Sequence, residues 1–449
     1  MKLSEIESTL RAICVSPVKT LGQNFLHDRN LARWIVERAE LTADDYVVEI
    51  GPGLGALTEF ALASGARVLA IEKDARLATF LRERFPAERL QIIRGDALDF
   101  DVRTLFAQAR VKFIGNLPYN ISSQLLIRFT KYPSPISLWV CLLQKEMARR
   151  LSAEPRSGDY GALTLFVQSR YRVEYLRTVP ASVFLPQPEV DSAFVKLTPR
   201  TLNELPDYNP ERFTKLVRRG FSQRRKQLQK LLREDVPDWE TASETCGFEA
   251  RARAEELSLP QWISLSNFSR PGVGAAASND PAEPFAVVDE ADRVIGAAPR
   301  RKVHGDNLLH RAVHILIFNR NGELFLQKRS RFKDRHPCVW DSSAAGHVDA
   351  GEDYDDAARR EVQEELGVTT RLERVVKLPA SDRTGQEFIW LYQGKHDGPF
   401  QLAASEIELG EFFPPGLVSN WLQARPDDFA PGFVECWNAF WRDGRCPVP

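Results

Sequence analysis

At 449 residues the chain is too long for a single core, because domains usually hold about 100–200 residues, and its 43% hydrophobic and 27% charged content excludes a disordered or fibrous protein. A net charge of −1 hides an asymmetry: residues 1–270 carry +6 (39 Lys and Arg against 33 Asp and Glu) and the rest −7 (21 against 28), so the two parts face different partners. Six cysteines without CxxC spacing signal neither a disulfide framework nor a zinc site. With no apolar run near the ~18 residues of a membrane span and charges where a signal peptide is apolar, a cytoplasmic protein with no membrane partner is expected.

Residues 1–45 read as helical. From Tyr46 onward, short apolar strands (YVVEI, RVLAIE, LQIIRGD, KFIGN) alternate with helical segments, the pattern of a doubly wound, mostly parallel sheet. The first strand runs into Gly51-Pro52-Gly53-Leu54-Gly55 and then a helix. Glycines there let the backbone turn sharply and approach a ligand at the carboxyl end of the strand. Glu72 ends the second strand, where a carboxylate takes the hydroxyls of a ribose, and Asp96 ends the third. Up to this point a nicotinamide dehydrogenase fits as well as anything else.

The fourth strand ends in Asn116-Leu117-Pro118-Tyr119, which points to methyl transfer onto adenine N6. That amine is a poor nucleophile because its lone pair is delocalised into the ring. Hydrogen bonds from its two protons to the Asn116 side-chain oxygen and to the Leu117 or Pro118 carbonyl favour a pyramidal nitrogen, and Tyr119 offers a plane for stacking. Phe184, in VFLPQPEVDS, is either a second aromatic face for an extruded base or a core residue.

From Pro210 to about Leu265 the pattern is helical, and the run from Arg212 to Arg233 carries nine Lys or Arg and no acid. Arg218, Arg219, Arg224, Arg225 and Lys226 are therefore expected on a basic helix that contacts RNA phosphates. Ser269 to Pro284 has linker composition. The expected organisation is a catalytic domain over 1–200, a basic helical subdomain over 201–268, a linker over 269–284 and a second domain over 285–449.

In that last domain, strands FAVVDE, AVHILIF, ELFLQKR and FIWLYQ surround one acidic helix near Asp355 to Leu366, an α+β or sandwich pattern. Glu361, Glu364 and Glu365 stand at i, i+3 and i+4, so three carboxylates share one helix face. Such a cluster repels itself without a cation, and its hard oxygens select Mg2+ or Mn2+. Glu352 and Arg360 are expected to brace the loop and helix; Glu387 is either a further ligand or a surface acid.

The blocks LGQNFLHD, EIGPGLGALT, IEKD, GDAL, GNLPYNISS, LLQKEMARR, FLPQPEVDS and FSQRRKQL make residues 15–268 resemble the KsgA-type ribosomal RNA adenine dimethyltransferases, which share a fold with Erm-type large-subunit adenine methylases. The resemblance implies a Rossmann-like α/β methyltransferase with a small helical C-terminal subdomain, using S-adenosylmethionine. Asn24, Leu26, Gly51, Glu72, Asp96 and Asn116 fall on its donor-site positions, with Glu72 at the ribose and Asp96 at the adenine. It implies as product N6,N6-dimethyladenosine on two adjacent adenosines near the 3′ end of small-subunit (16S) rRNA, in the pre-30S particle. Leu117 and the FSQRRKQL segment favour this enzyme over the Erm type. A ribosome-assembly binding factor with secondary catalysis is a further alternative.

Residues Gly346 to Val368, GHVDAGEDYDDAARREVQEELGV, fill every fixed position of the Nudix box. The surrounding sequence resembles the Nudix branch that includes isopentenyl diphosphate isomerase. That enzyme needs a cysteine just before its Nudix helix, and Ser342-Ser343-Ala344-Ala345-Gly346-His347 has none. The expectation is therefore an α+β Nudix hydrolase acting on a small-molecule diphosphate, with a catalytically silent sensor as the alternative.

Overall fold

A computed structural model describes residues 1–18, 22–130, 134–201, 204–206, 208–268 and 280–442. The chain forms two compact units, Met1–Pro271 and Gly272–Pro449. The linker expected at 269–284 lies outside the described residues up to residue 279.

The first unit is built on a seven-stranded sheet in the order Leu90–Arg94, Arg67–Glu72, Tyr46–Ile50, Val111–Asn116, Ile136–Gln144, Ser192–Pro199, Tyr171–Val179. The first five strands run parallel, and Ser192–Pro199 is antiparallel to both of its neighbours. Strands dense in Val, Ile and Leu suit a sheet covered on both faces. One face buries Val48, Ile71, Phe113 and Trp139, and the other buries Val47, Val68, Ile114 and Val140. From Tyr46–Ile50 the chain moves outward to Arg67–Glu72 on one side and later returns to Val111–Asn116 on the other. This reversal opens a crevice at the carboxyl ends of the strands, where ligands of such sheets bind.

The first 45 residues are less uniformly helical than expected. Helices Leu3–Ala12 and Arg29–Arg38 flank a two-residue strand, Phe25–Leu26, that pairs with Phe184–Leu185. Leu26 and Phe184 face each other in this register, so a long-range partner overrides the helical pattern of the segment.

Helices Pro210–Gly220, Leu228–Leu232, Trp239–Cys246 and Leu259–Phe268 enclose a separate core of Phe213, Leu228, Trp239 and Trp262. The basic run is not one helix, contrary to expectation. It stops at Gly220, where a Cβ would lie 2.5 Å from the Trp262 ring, and residues 222–227 offer no apolar side chain to continue a buried stripe. Arg218 and Arg219 close the first helix, where cations suit the C-terminal end of the helix dipole. Arg224, Arg225 and Lys226 lie in the exposed turn.

The second unit is a mixed sheet around the strand His310–Phe318. That strand runs parallel to Glu387–Lys395 and antiparallel to Ala344–His347. Helix Tyr354–Leu366 starts at Asp353, whose side chain accepts the N–H groups of Asp355 and Asp356, and ends at Gly367 with φ 67°, the left-handed stop that glycine favours. Its Ala357, Ala358, Val362 and Leu366 pack into the core with Val313 and Ile315. Among the described residues no helix is long and apolar enough to cross a membrane.

Candidate active sites

Asn24, Leu26, Gly51, Glu72, Asp96 and Asn116 line one cavity at the carboxyl edge of the first sheet. Gly51 and Gly53 have φ of 63° and 57°, a conformation that side chains resist. The turn they allow aims the Gly53 N–H at Glu72 Oε2 (3.2 Å), while Asp74 N–H donates to Glu72 Oε1 (2.9 Å). Burial pushes the Glu72 carboxyl above its usual range against these bonds. Asp96 is shifted the other way. The Lys73 ammonium at 2.7 Å, with the Leu98 N–H at 2.9 Å, holds its carboxyl low.

Asn116 Nδ2 donates to the Asn24 carbonyl at 2.9 Å. That bond fixes the amide so that Oδ1 remains for another donor. The following turn is closed by Leu117 N–H to Leu142 O (3.1 Å) and Ile121 N–H to Pro118 O (3.2 Å). Tyr119 is half-buried, its hydroxyl bonded to Ser192, and burial raises its phenol above the usual value.

Phe184 is placed differently. It is 3% exposed and sits in the core with Leu26, Val179 and Phe194; like Leu117 and Tyr119, it is not among the residues that line the cavity. The pairing with Leu26 draws it inward. Of the basic residues, Arg219 is ion-paired with Glu234 (2.6 Å) and Asp235 (2.8 Å), and Arg224 donates to the carbonyls of Gly158 and Tyr160. Arg218, Arg225 and Lys226 are exposed.

In the second unit a cavity of about 530 Å³ is lined by Glu361, Glu364 and Glu365 on one side and by Arg329, Lys333, Arg335 and Arg383 on others. The helix spacing divides the three acids. Glu361 and Glu365 are buried, while Glu364 is 61% exposed at its side chain. Burial pushes Glu361 up to about 7 and, with Glu361 beside it, lifts Glu365 well above the usual range. A Cβ at Gly346 would stand 2.0 Å from Glu361 Oε1, so a side chain there displaces that carboxylate. Arg360 donates to Glu352 at 2.9 Å and to the His347 carbonyl at 2.9 Å, tying the loop to the helix.

Glu387 does not join these acids. Its Oε1 stands 3.3 Å from His347 Nε2 and 3.5 Å from His310 Nε2. Adjacent strands create the group, because His310 is the register partner of Glu387. His304, His310 and His347 bring ring nitrogens within 4.8 Å of one another, and Nε2 of both His304 and His310 is buried without a hydrogen-bond partner. Burial holds His347 down to about 3 and His304 down to about 4, which keeps both rings neutral. This donor set fits a transition metal. Sequence reasoning missed it because the H-x5-H spacing of His304 and His310 shares no helix face, and His347 arrives only by strand pairing.

Comparison with known proteins agrees with this division. Residues 17–270 match the family described as ribosomal RNA adenine dimethylase, and residues 308–432 match the NUDIX domain. The ribosomal RNA small subunit methyltransferase A of Psychrobacter cryohalolentis is 39% identical over 276 residues, covering 59% of this chain and 95% of that protein. The protein of the same name from Geobacillus thermodenitrificans is 38% identical over 266 residues, covering 56% and 91%. Among solved structures, the 23S rRNA methyltransferase ErmE is 30% identical with a TM-score of 0.46, covering 55% of this chain and 99% of that one. With more than half of its length matched by one family, and the glycine loop lining one cavity with Asn116 and Pro118, the chain belongs to the ribosomal RNA adenine dimethylase family and carries a NUDIX domain behind it.

Proposed function

We propose that the first unit transfers methyl groups from S-adenosylmethionine to N6 of two adjacent adenosines near the 3′ end of small-subunit rRNA, and that the second hydrolyses a small-molecule diphosphate with Mg2+ or Mn2+. The observation carrying the first reading is the fixed Asn116 amide: with Nδ2 committed to Asn24, Oδ1 accepts one N6 proton of the base. The Leu117 or Pro118 carbonyl accepts the other, and the nitrogen lone pair turns toward the donor. Glu72 keeps lone pairs beyond its two backbone bonds for ribose hydroxyls, and Asp96 is held anionic for an exocyclic amine of the donor. S-adenosylmethionine supplies a methyl group on a cationic sulfur. Asn24, Leu26 and Gly51 shape the cavity around it, while Arg218, Arg225 and Lys226 meet RNA phosphates.

In the second unit two buried carboxylates that repel each other, Glu361 and Glu365, fit a hard cation with Glu364 at the rim. Mg2+ or Mn2+ supplies charge to a diphosphate and acidity to water when bound. Of the cations that line the cavity, Arg329 and Lys333 are paired with Asp341 and Glu406, leaving Arg335 to meet an anionic substrate, and the cavity volume suits one of nucleotide size.

Asn116→Ala and Tyr119→Ala should each remove most methyl transfer to immature small subunits while donor binding stays measurable. Full activity in both would remove the mechanism, and methylation of large-subunit rRNA instead would favour the Erm-like alternative. A metal-dependent screen of the full chain against nucleoside diphosphate derivatives, dinucleotides and isoprenoid diphosphates, with Glu365→Gln as control, identifies the second substrate. No metal-dependent hydrolysis of any of them would favour the sensor reading.

A further inference from the structure

A ring that only stacks on a base needs no hydroxyl, yet the hydroxyl of Tyr119 meets Ser192 Oγ at hydrogen-bond distance. Ser192 is wholly buried and opens the strand Ser192–Pro199, in register with Gln144 on one side and Val179 on the other. Asn116 is in register with Leu142, so Ser192 stands two strands from Asn116 at the same edge of the sheet, with Ile136–Gln144 between them. Both anchors of the Tyr119 side chain are themselves held. Its carbonyl accepts from Ser122 Oγ at 3.2 Å. On the other side, the Asp191 carbonyl accepts Lys145 N–H at 3.0 Å and its carboxylate accepts Ala181 N–H at 3.3 Å. A tyrosine has two side-chain torsions, and a bond at the ring tip removes the freedom of both.

We infer that Ser192 is a positioning residue for methyl transfer, its hydroxyl fixing the angle at which Tyr119 presents its ring to the acceptor adenine. The inference rests on the assignment of the Asn116–Tyr119 turn to the acceptor base. Its sharpest consequence concerns the second methyl group. After one transfer N6 retains a single proton, so one of the two hydrogen bonds that orient the amine is gone. The fixed ring then carries a larger share of the alignment, and a ring free to tilt costs more at the second transfer than at the first.

Ser192→Ala and Tyr119→Phe delete the same hydrogen bond from opposite sides, and Tyr119→Phe leaves the stacking ring in place. In single-turnover assays on immature small subunits, each should slow the second transfer by about 3- to 10-fold, the worth of one hydrogen bond, so that monomethyladenosine accumulates. Donor affinity by calorimetry should stay at the wild-type value, and the double variant should be no slower than either single one. Wild-type rates and product ratios in both variants would overturn the inference, as would additive effects or a fall in donor affinity that matches the fall in rate. Asn116→Ala run in parallel separates the two levels. If it too retains full activity, the acceptor assignment fails; if it is inactive while Ser192→Ala behaves as wild type, only the role of Ser192 fails.

Discussion

Glu49 lies in the strand that feeds the glycine turn, buried, with the Thr58 hydroxyl donating to it at 2.6 Å. Burial pushes its carboxyl from 4.5 up to about 7, with Thr58 pulling against it and Glu72 adding to it. Between those two values the folded state keeps a proton that the unfolded chain releases, so stability is complete below pH 4.5 and falls as the pH rises toward 7. The shift corresponds to a loss of the order of 3 kcal/mol. Glu49→Gln should therefore flatten the decline in melting temperature of the first unit between pH 5 and pH 8, as followed by differential scanning calorimetry. An unchanged pH slope would place the decline elsewhere. A second residue-scale prediction concerns Gly346, which leaves no space for a side chain beside Glu361. Gly346→Ala should lower metal-dependent hydrolysis by about 10- to 100-fold, the usual effect of disturbing the support of a metal ligand, and a kinetic assay at saturating Mg2+ checks it.

At the scale of elements, the broken basic helix sorts its cations into two kinds. Arg219 is tied to Glu234 and Asp235, whereas Arg225 and Lys226 project from the turn before Leu228–Leu232. Reversing the charge of Arg225 and Lys226 together should reduce the slope of log affinity for the RNA particle against log salt by about 1 to 2, one step per lost phosphate contact, with the melting temperature unchanged. Arg219→Ala should do the opposite, lowering the melting temperature and leaving the salt slope near its original value. Salt titrations of particle binding by both proteins distinguish these outcomes, and an unchanged slope in the first would make the turn ordinary solvated surface.

For the whole molecule, each unit holds a complete set of site residues and its own hydrophobic cores. Cleavage within residues 269–279 should release two folded pieces, the first retaining methyl transfer and the second retaining diphosphate hydrolysis. Glu365→Gln, which removes a buried carboxyl group from the acidic pair, should stop hydrolysis and leave methylation by the full chain at its wild-type rate. A drop in methylation without unfolding would mean that the two sites are coupled.

Sequence alone determined what depends on neighbours along the chain. Apolar runs of Val, Ile and Leu mark the strands Tyr46–Ile50, Arg67–Glu72 and Val111–Asn116, and the glycine turn follows from conformations few other residues adopt. The Nudix helix announces itself through acids at helical spacing near Asp355 to Leu366, while its cap at Asp353 and its stop at Gly367 are seen in the structure. Tertiary structure decided what depends on distant partners. The pairing of Phe25–Leu26 with Phe184–Leu185 turned Phe184 into the core, and the helix that the charge pattern would have continued ends at Gly220, which packs against the Trp262 ring. His310, His347 and Glu387 meet only because strands far apart in sequence lie side by side. Local propensity and periodicity are written in adjacent residues, whereas strand order and register are set by burial of the whole sheet.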